Sequence, residues 1–205
     1  MKTEQLAVFN EAMERIGVAS REEVHRKGHW HETFHCWIAY REGETIRLLF
    51  QMRSPNVKDF KGLLDITAAG HLLAEETVLD GVREVEEELG LPITMEDIVQ
   101  VATIPCTIEE GTFIDREFVH VFLYGKKVPF EAFHVQVEEV AGLYEADLDH
   151  FVSLWNGERG SIHVTGFAVG NGKQRQTTIE VTKGAFVPHP DHYVQTLIDA
   201  LKKTL

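Results

Sequence analysis

The clearest pattern lies between residues 33 and 53. Ile46, Leu48, Phe50 and Met52 alternate with Arg47, Leu49, Gln51 and Arg53, the two-residue period of a strand. Thr33–Tyr40 reads as a preceding strand, and Arg41-Glu42-Gly43-Glu44 as the turn that joins the pair. A loop with Pro55, Asn56 and Gly62 follows, then a short segment Leu63–Thr67 and Gly70. At residues 77–89 the period changes. Val78, Val82, Val85 and Leu89 fall at i, i+4, i+7 and i+11, which predicts a helix with one apolar stripe. Thr77 suits its N-cap and Gly90 its end. Gly81 costs such a helix about 1 kcal/mol relative to Ala, a cost that close packing against a strand would explain.

Further strands are expected at Ile98–Ile104, Phe118–Tyr124 and Phe133–Val137, and a short helix at Asp147–Trp155. Residues 160–187 suggest an added hairpin turning near Gly170-Asn171-Gly172. A last helix starts near Asp191, with Tyr193, Leu197, Leu201 and Leu205 on one side. Strands mixed with helices predict an α/β layered domain. No repeat, low-complexity tract or linker interrupts the chain, so one domain is expected over residues 1–205. Its core would span about 20–155, with the hairpin and terminal helix added over about 156–205.

Composition narrows the function. The 205 residues, 43% of them hydrophobic, suffice for one full core but not two. No run approaches the length of a membrane helix, and the N-terminus lacks the apolar core of a signal peptide, so a cytoplasmic location is expected. Cys36 and Cys106 lie far apart and read as reduced thiols, Cys36 as a small buried side chain in an apolar run. The net charge of −13 disfavours a nucleic-acid polymer. It leaves a small phosphate ester open, because a few positive groups and a bound cation can reverse the local field.

The candidate chemistry lies in the predicted helix, on the run Arg83-Glu84-Val85-Glu86-Glu87-Glu88. Glu84, Glu87 and Glu88 occupy neighbouring positions of one face. Such a run usually means a solvated acidic face. It also suits a hard cation, Mg²⁺ or Mn²⁺, which prefers carboxylate and phosphate oxygens. Arg53 closes a strand leading toward this region and suits bidentate phosphate contact; Lys58 and Lys61 follow it, as phosphate contacts or as solvated loop charges.

Read outward, the run extends from Ala69-Gly70-His71-Leu72-Leu73-Ala74-Glu75 across seven residues to Arg83–Glu88 and Leu89-Gly90-Leu91. This resembles the Nudix box, G-x5-E-x7-R-E-U-x-E-E-x-G-U with U aliphatic. Every specified position matches except the first, where Ala69 stands for glycine and Gly70 follows. The resemblance implies a Nudix-like α/β/α sandwich with a mixed sheet and a C-terminal helix. It also implies a hydrolase that cleaves a diphosphate linkage in a small substrate, such as a nucleoside diphosphate derivative. Glu84, Glu87 and Glu88 would bind metal, with a backbone carbonyl at Ala69 or Gly70 as a further ligand, and Arg83 would pair with Glu75. The cation would bridge the diphosphate and lower the pKa of an attacking water. Family members often draw the base from outside the box. Glu138 and Glu139 are candidates, with exposed loop carboxylates as the alternative.

The similarity extends over about residues 20–155 toward isopentenyl-diphosphate isomerase, a Nudix-fold enzyme. It rests on His25 and His31 before the Thr33 strand, Asp65–His71 before the box, and Asp115-Arg116-Glu117-Phe118 after it. The isomerase's metal ligands fall on His25, His31, His71, Asp115 and Glu117, a mixed set suited to Mn²⁺ or Zn²⁺. Its reactive cysteine falls on Ala69, which cannot transfer a proton, and its box is degenerate where this one is nearly complete. Both departures favour hydrolysis. An isomerase, or a non-catalytic ligand-sensing module, is the alternative; the intact glutamate set argues against the sensor. A homodimer is compatible with the resemblance, and composition is silent on it.

Overall fold

The computed structural model describes residues 4–111, 113–170 and 172–205. Two long strands organise it, β3 (Trp30–Glu42) and β4 (Thr45–Arg53). In β3 the two-residue period sends Phe34, Cys36, Ile38 and Tyr40 into one apolar cluster and Trp37 and Ala39 into the other. In β4, Leu48 and Phe50 join the Trp37 side and Leu49 the Phe34 side. Each strand is therefore covered on both faces, and helices supply the covers.

On the Phe34 side lies α2 (Arg83–Leu89), burying Val85 and Leu89. On the Trp37 side lie α3 (Leu148–Trp155) and α4 (Asp191–Thr204), which bury Phe151, Leu154, Leu197 and Leu201. The result is the expected α/β/α layering with a C-terminal helix. The sheet also holds β1 (Gln5–Phe9), β2 (Arg15–Ser20), β5 (Leu64–Asp65), β6 (Ala68–His71) and β7 (Val99–Glu110). It is completed by β8 (Phe113–Tyr124), β9 (Val140–Asp147) and the hairpin β10 (Ile162–Gly170) and β11 (Lys173–Val181). Its pairings are antiparallel apart from β3 with β8, so it is mixed, as expected.

β3 and β4 stay together only briefly. They pair from Ala39↔Leu48 to Glu42↔Thr45, then part: β3 runs on with β6 and β8, and β4 with β5 and β9. Thr67 sits in this fork. Its hydroxyl accepts the Ile38 N–H at 3.0 Å and donates to the Leu49 carbonyl at 2.5 Å, bridging the diverging strands in a fully buried position.

Three expectations need correction. The predicted helix 77–89 is shorter: Asp80–Val82 is a 3-10 turn, and α2 begins at Arg83. Thr77 caps nothing, because its N–H and hydroxyl both donate to Asp80. Gly81 does lie against a strand, where a Cβ would come within 2.6 Å of the Phe34 ring. Residues 133–137 form no strand. His134 and Gln136 instead donate their N–H groups to the carbonyls of Leu89 and Glu88, satisfying helix-end acceptors that α2 cannot pair itself. The N-terminal hairpin β1–β2 and a helix α1 (Arg21–Lys27) had no predicted counterpart. The expected turn at Gly170-Asn171-Gly172 includes Asn171, which lies outside the described residues.

Candidate active site

A cavity of about 490 Å³ opens where β3 and β4 part. The period-2 logic of the strands explains its polarity. Along one face of β8, Val119, Val121 and Leu123 fill the core, and the next residues on that face, Glu117 and Asp115, line the cavity. β3 does the same, with Trp37 and Ala39 giving way to His35 and Thr33.

The box helix supplies one wall. Glu88 is buried; it accepts the Ala69 N–H at 3.0 Å and a Gln51 amide N–H at 3.2 Å. Burial, then repulsion from Glu84, pushes its pKa well above the ordinary value. Burial also lifts Glu84 to about 7, with Glu87 and Glu139 adding to the rise and Arg83 opposing it. Glu84 lies under Gly70, whose missing side chain makes room for it. Glu87 lines the cavity, but its side chain is 56% exposed.

Arg83 holds this wall together. Its Nε and Nη2 donate to the two oxygens of Glu76 at 2.6 and 2.9 Å, and its Nη1 to Glu84 at 2.6 Å and Glu87 at 3.0 Å. Nη2 also reaches the His71 carbonyl at 3.3 Å. The partner is therefore Glu76 and not the expected Glu75, which is exposed. Glu76 is the better placed of the two adjacent glutamates because it also caps the Leu73 N–H.

A second constellation lies on the same cavity. Ser20 caps α1 and Gly28 ends it in the left-handed region, with Ile114 of β8 packed where a Cβ would project. That seats His25 against β8. His31 comes from β3, His71 from β6 and Asp115 from β8, and one ligand atom from each of the four lies within 4.8 Å of the others. His25 Nε2 and His31 Nε2 both stand 3.4 Å from Asp115 Oδ1, and Glu117 follows at 3.9 Å from His31. His31 Nε2 and Asp115 Oδ1 are buried yet make no hydrogen bond. Burial lowers the His31 pKa to about 4 and that of His71 well below its ordinary value, so both rings are neutral near pH 7. His71 Nε2 and His25 Nε2 stand 3.3 Å apart and can share one proton, whereas His31 Nε2 and Asp115 Oδ1 converge with none between them, which is what a cation requires.

The remaining predicted residues divide. Arg53 lines the cavity but is engaged, donating to Asp65 at 2.9 Å and to the Asp59 carbonyl at 3.1 Å. Glu139 lines the cavity, whereas Glu138, Lys58 and Lys61 are exposed and do not. Residues with no predicted role also line it, among them Gln51, Asp65 and His189. His189 stands in the run Val187-Pro188-His189-Pro190, and its two flanking prolines are the one local signal it carries. Neither cysteine lines the cavity; both are buried, and burial raises the Cys36 thiol to about 12.

Among known proteins, an uncharacterized Nudix hydrolase of Clostridium acetobutylicum is 36% identical over 202 residues, 98% of each chain. This chain belongs to the Nudix hydrolases. It is thus a hydrolase of a family that cleaves diphosphate linkages and generally uses divalent cations. Nudix hydrolase 3 of Arabidopsis thaliana is 36% identical over 149 residues, 70% of this chain and 19% of that longer protein. A Deinococcus radiodurans crystal structure superposes with a TM-score of 0.57 at 18% identity, covering 75% of this chain and 90% of that one, a likeness of fold. No family model matches the chain. Among its described residues, no helix is long and apolar enough to cross a membrane.

Proposed function

We propose that this Nudix hydrolase cleaves the diphosphate linkage of a small molecule, such as a nucleoside diphosphate derivative, with Mg²⁺ or Mn²⁺ held by Glu84, Glu87 and Glu88. The observation that carries the reading is the Glu84–Glu88 pair on the cavity wall, two carboxylates that burial and mutual repulsion hold above their ordinary pKa, with Arg83 bonded to Glu84 alone of the two. When bound there, a divalent cation supplies charge neutralisation for the diphosphate and acidifies a coordinated water. Arg83 fixes Glu84 and Glu87 in place, Gln51 and the Ala69 N–H orient Glu88, and Glu139 faces the same space from outside the helix. Phosphate release from a panel of nucleoside and non-nucleoside diphosphates, with each metal and with chelator, tests the reading. Absence of any metal-dependent release would defeat it.

The lineage we infer is the branch resembling isopentenyl-diphosphate isomerase, with a second cation at His25, His31, His71, Asp115 and Glu117. The unpartnered His31 Nε2 and Asp115 Oδ1 support that site. Isomerase chemistry itself is disfavoured because Ala69 stands at the reactive position and no thiol lines the cavity. Incubation with isopentenyl diphosphate in D₂O checks this: deuterium in an allylic product would reverse the assignment.

A further inference from the structure

His189 reaches the cavity from a segment far from the box in sequence. Residues 186–187 lie beside β5 through a Leu64–Phe186 bridge and a Val187 N–H to Leu64 carbonyl bond of 2.9 Å. Val187 and His189 each precede a proline, which confines both to extended conformations and stiffens the strap. At its end His189 Nε2 meets Asp65 Oδ1 at 2.8 Å. The ring stacks on Tyr193 with centroids 5.1 Å apart. Asp65 is itself fixed, by the Ile66 N–H on Oδ1 and Arg53 on Oδ2.

This is a carboxylate-oriented imidazole. A buried, ionised Asp65 accepts the Nε2 proton, which leaves Nδ1 as the lone-pair nitrogen. Nδ1 has no hydrogen-bond partner among the described residues, and His189 forms part of the cavity wall. Asp65 is the antiparallel partner of Gln51, which donates to Glu88, so the pair stands next to the box glutamates. Glu139, by contrast, makes no side-chain hydrogen bond among the described residues, so nothing aims its carboxylate.

We propose that His189, oriented by Asp65, is a catalytic base of this site. The inference rests on the reading of the cavity as a diphosphate-hydrolysing site. In the step, an O–H bond of the attacking water breaks and its proton moves to His189 Nδ1. The water oxygen bonds to phosphorus, and the phosphorus–bridging-oxygen bond breaks with its electron pair staying on the leaving phosphate. The Nδ1 proton then passes to solvent, to which the His189 side chain remains 14% exposed.

Two measurements test this. In kinetics with a substrate the natural chain turns over, His189→Ala lowers kcat by about a hundredfold or more with KM within about threefold, and added imidazole restores part of the rate. Glu139→Gln has a much smaller effect. A kcat within about threefold of the natural enzyme, a change in KM alone, or a larger loss in Glu139→Gln would overturn the proposal. The second uses full-length protein with ¹⁵N-labelled histidines, His189 being assigned by comparison with His189→Gln. The neutral ring is expected as the Nε2–H tautomer, with Nδ1 shifting when Mg²⁺ and methylenediphosphonate are added. A Nδ1–H tautomer, or an analogue that moves other resonances but not this one, sinks the base assignment alone. An analogue that moves no resonance removes the diphosphate reading, and this inference with it.

Discussion

Gly70 and Glu84 occupy each other's space: a Cβ built on Gly70 would lie 2.1 Å from both Cδ and Oε1 of Glu84. The second glycine-compatible position of the box thus has a steric cause that the first does not share. Gly70→Ala is expected to push Glu84 off the cavity wall and to lower kcat/KM by about tenfold or more, while the melting temperature changes little. Ala69→Gly, which restores the box pattern, should change kcat/KM by less than about threefold. Equal effects of the two substitutions would show that the loop, and not Glu84, is being disturbed.

Glu88→Gln separates activity from stability. The amide keeps the shape and removes a buried charge that only a cation would neutralise, so kcat should fall by at least about a hundredfold. In chelator at pH 8 the variant should melt no lower than the natural protein, because burial disfavours the ionised form it replaces. Near-normal turnover would mean that Glu88 holds no cation needed for the reaction.

Acid should destabilise the fold through His35. This ring is buried, shares one hydrogen bond with Tyr193 at 3.0 Å, and has its pKa lowered to about 3 by burial and by His189. Between pH 6.5 and 3 the unfolded chain therefore binds a proton that the folded chain refuses. Stability contributed by neutral His35 is complete above pH 6.5 and is lost as pH falls, by about 2–3 kcal/mol at pH 4.5. Urea unfolding at pH 7 and 4.5 should show a smaller loss in His35→Gln than in the natural protein. An identical loss in both would place the acid sensitivity elsewhere.

Two cations per chain are expected in Mn²⁺-saturated protein. His31→Gln should remove one and Glu88→Gln the other, as read by metal analysis after equilibrium dialysis. A natural protein holding one cation, unaffected by His31→Gln, would leave the histidine cluster as a packing feature.

The fold was legible where a side chain faces one layer and its neighbour the other. Phe34, Cys36 and Ile38 against Trp37 and Ala39 carry that signal, as do Val85 and Leu89 of the helix. It was illegible at β2, where Ile16 and Val18 are 63% and 49% exposed, so that no face is buried and no period results. Phe133 is fully buried and opens the alternating stretch Phe133-His134-Val135-Gln136-Val137, but its neighbours bond to a helix end, which alternation cannot distinguish from a strand. At the site, the spacing of Glu84, Glu87 and Glu88 on a helix was readable. The choice of Glu76 over Glu75 was not, since it depends on a loop that also needs its Leu73 N–H capped. His189 lies 124 residues from Asp65, and no local pattern can announce a contact of that span.

The bridge at Thr67 also has a mechanical meaning. From Leu49 to Arg53 the arm of β4 that has left β3 for β5 and β9 reaches about 13 Å beyond the hydroxyl, at about 3.3 Å per residue. Rotation by about 5° at that pivot would swing its tip by about 1 Å, and with it Gln51, Arg53 and, through β5, Asp65. Misplacement on that scale can cost about a hundredfold in rate. Thr67, which touches none of the reacting groups, thus sets the angle between the two arms that carry them.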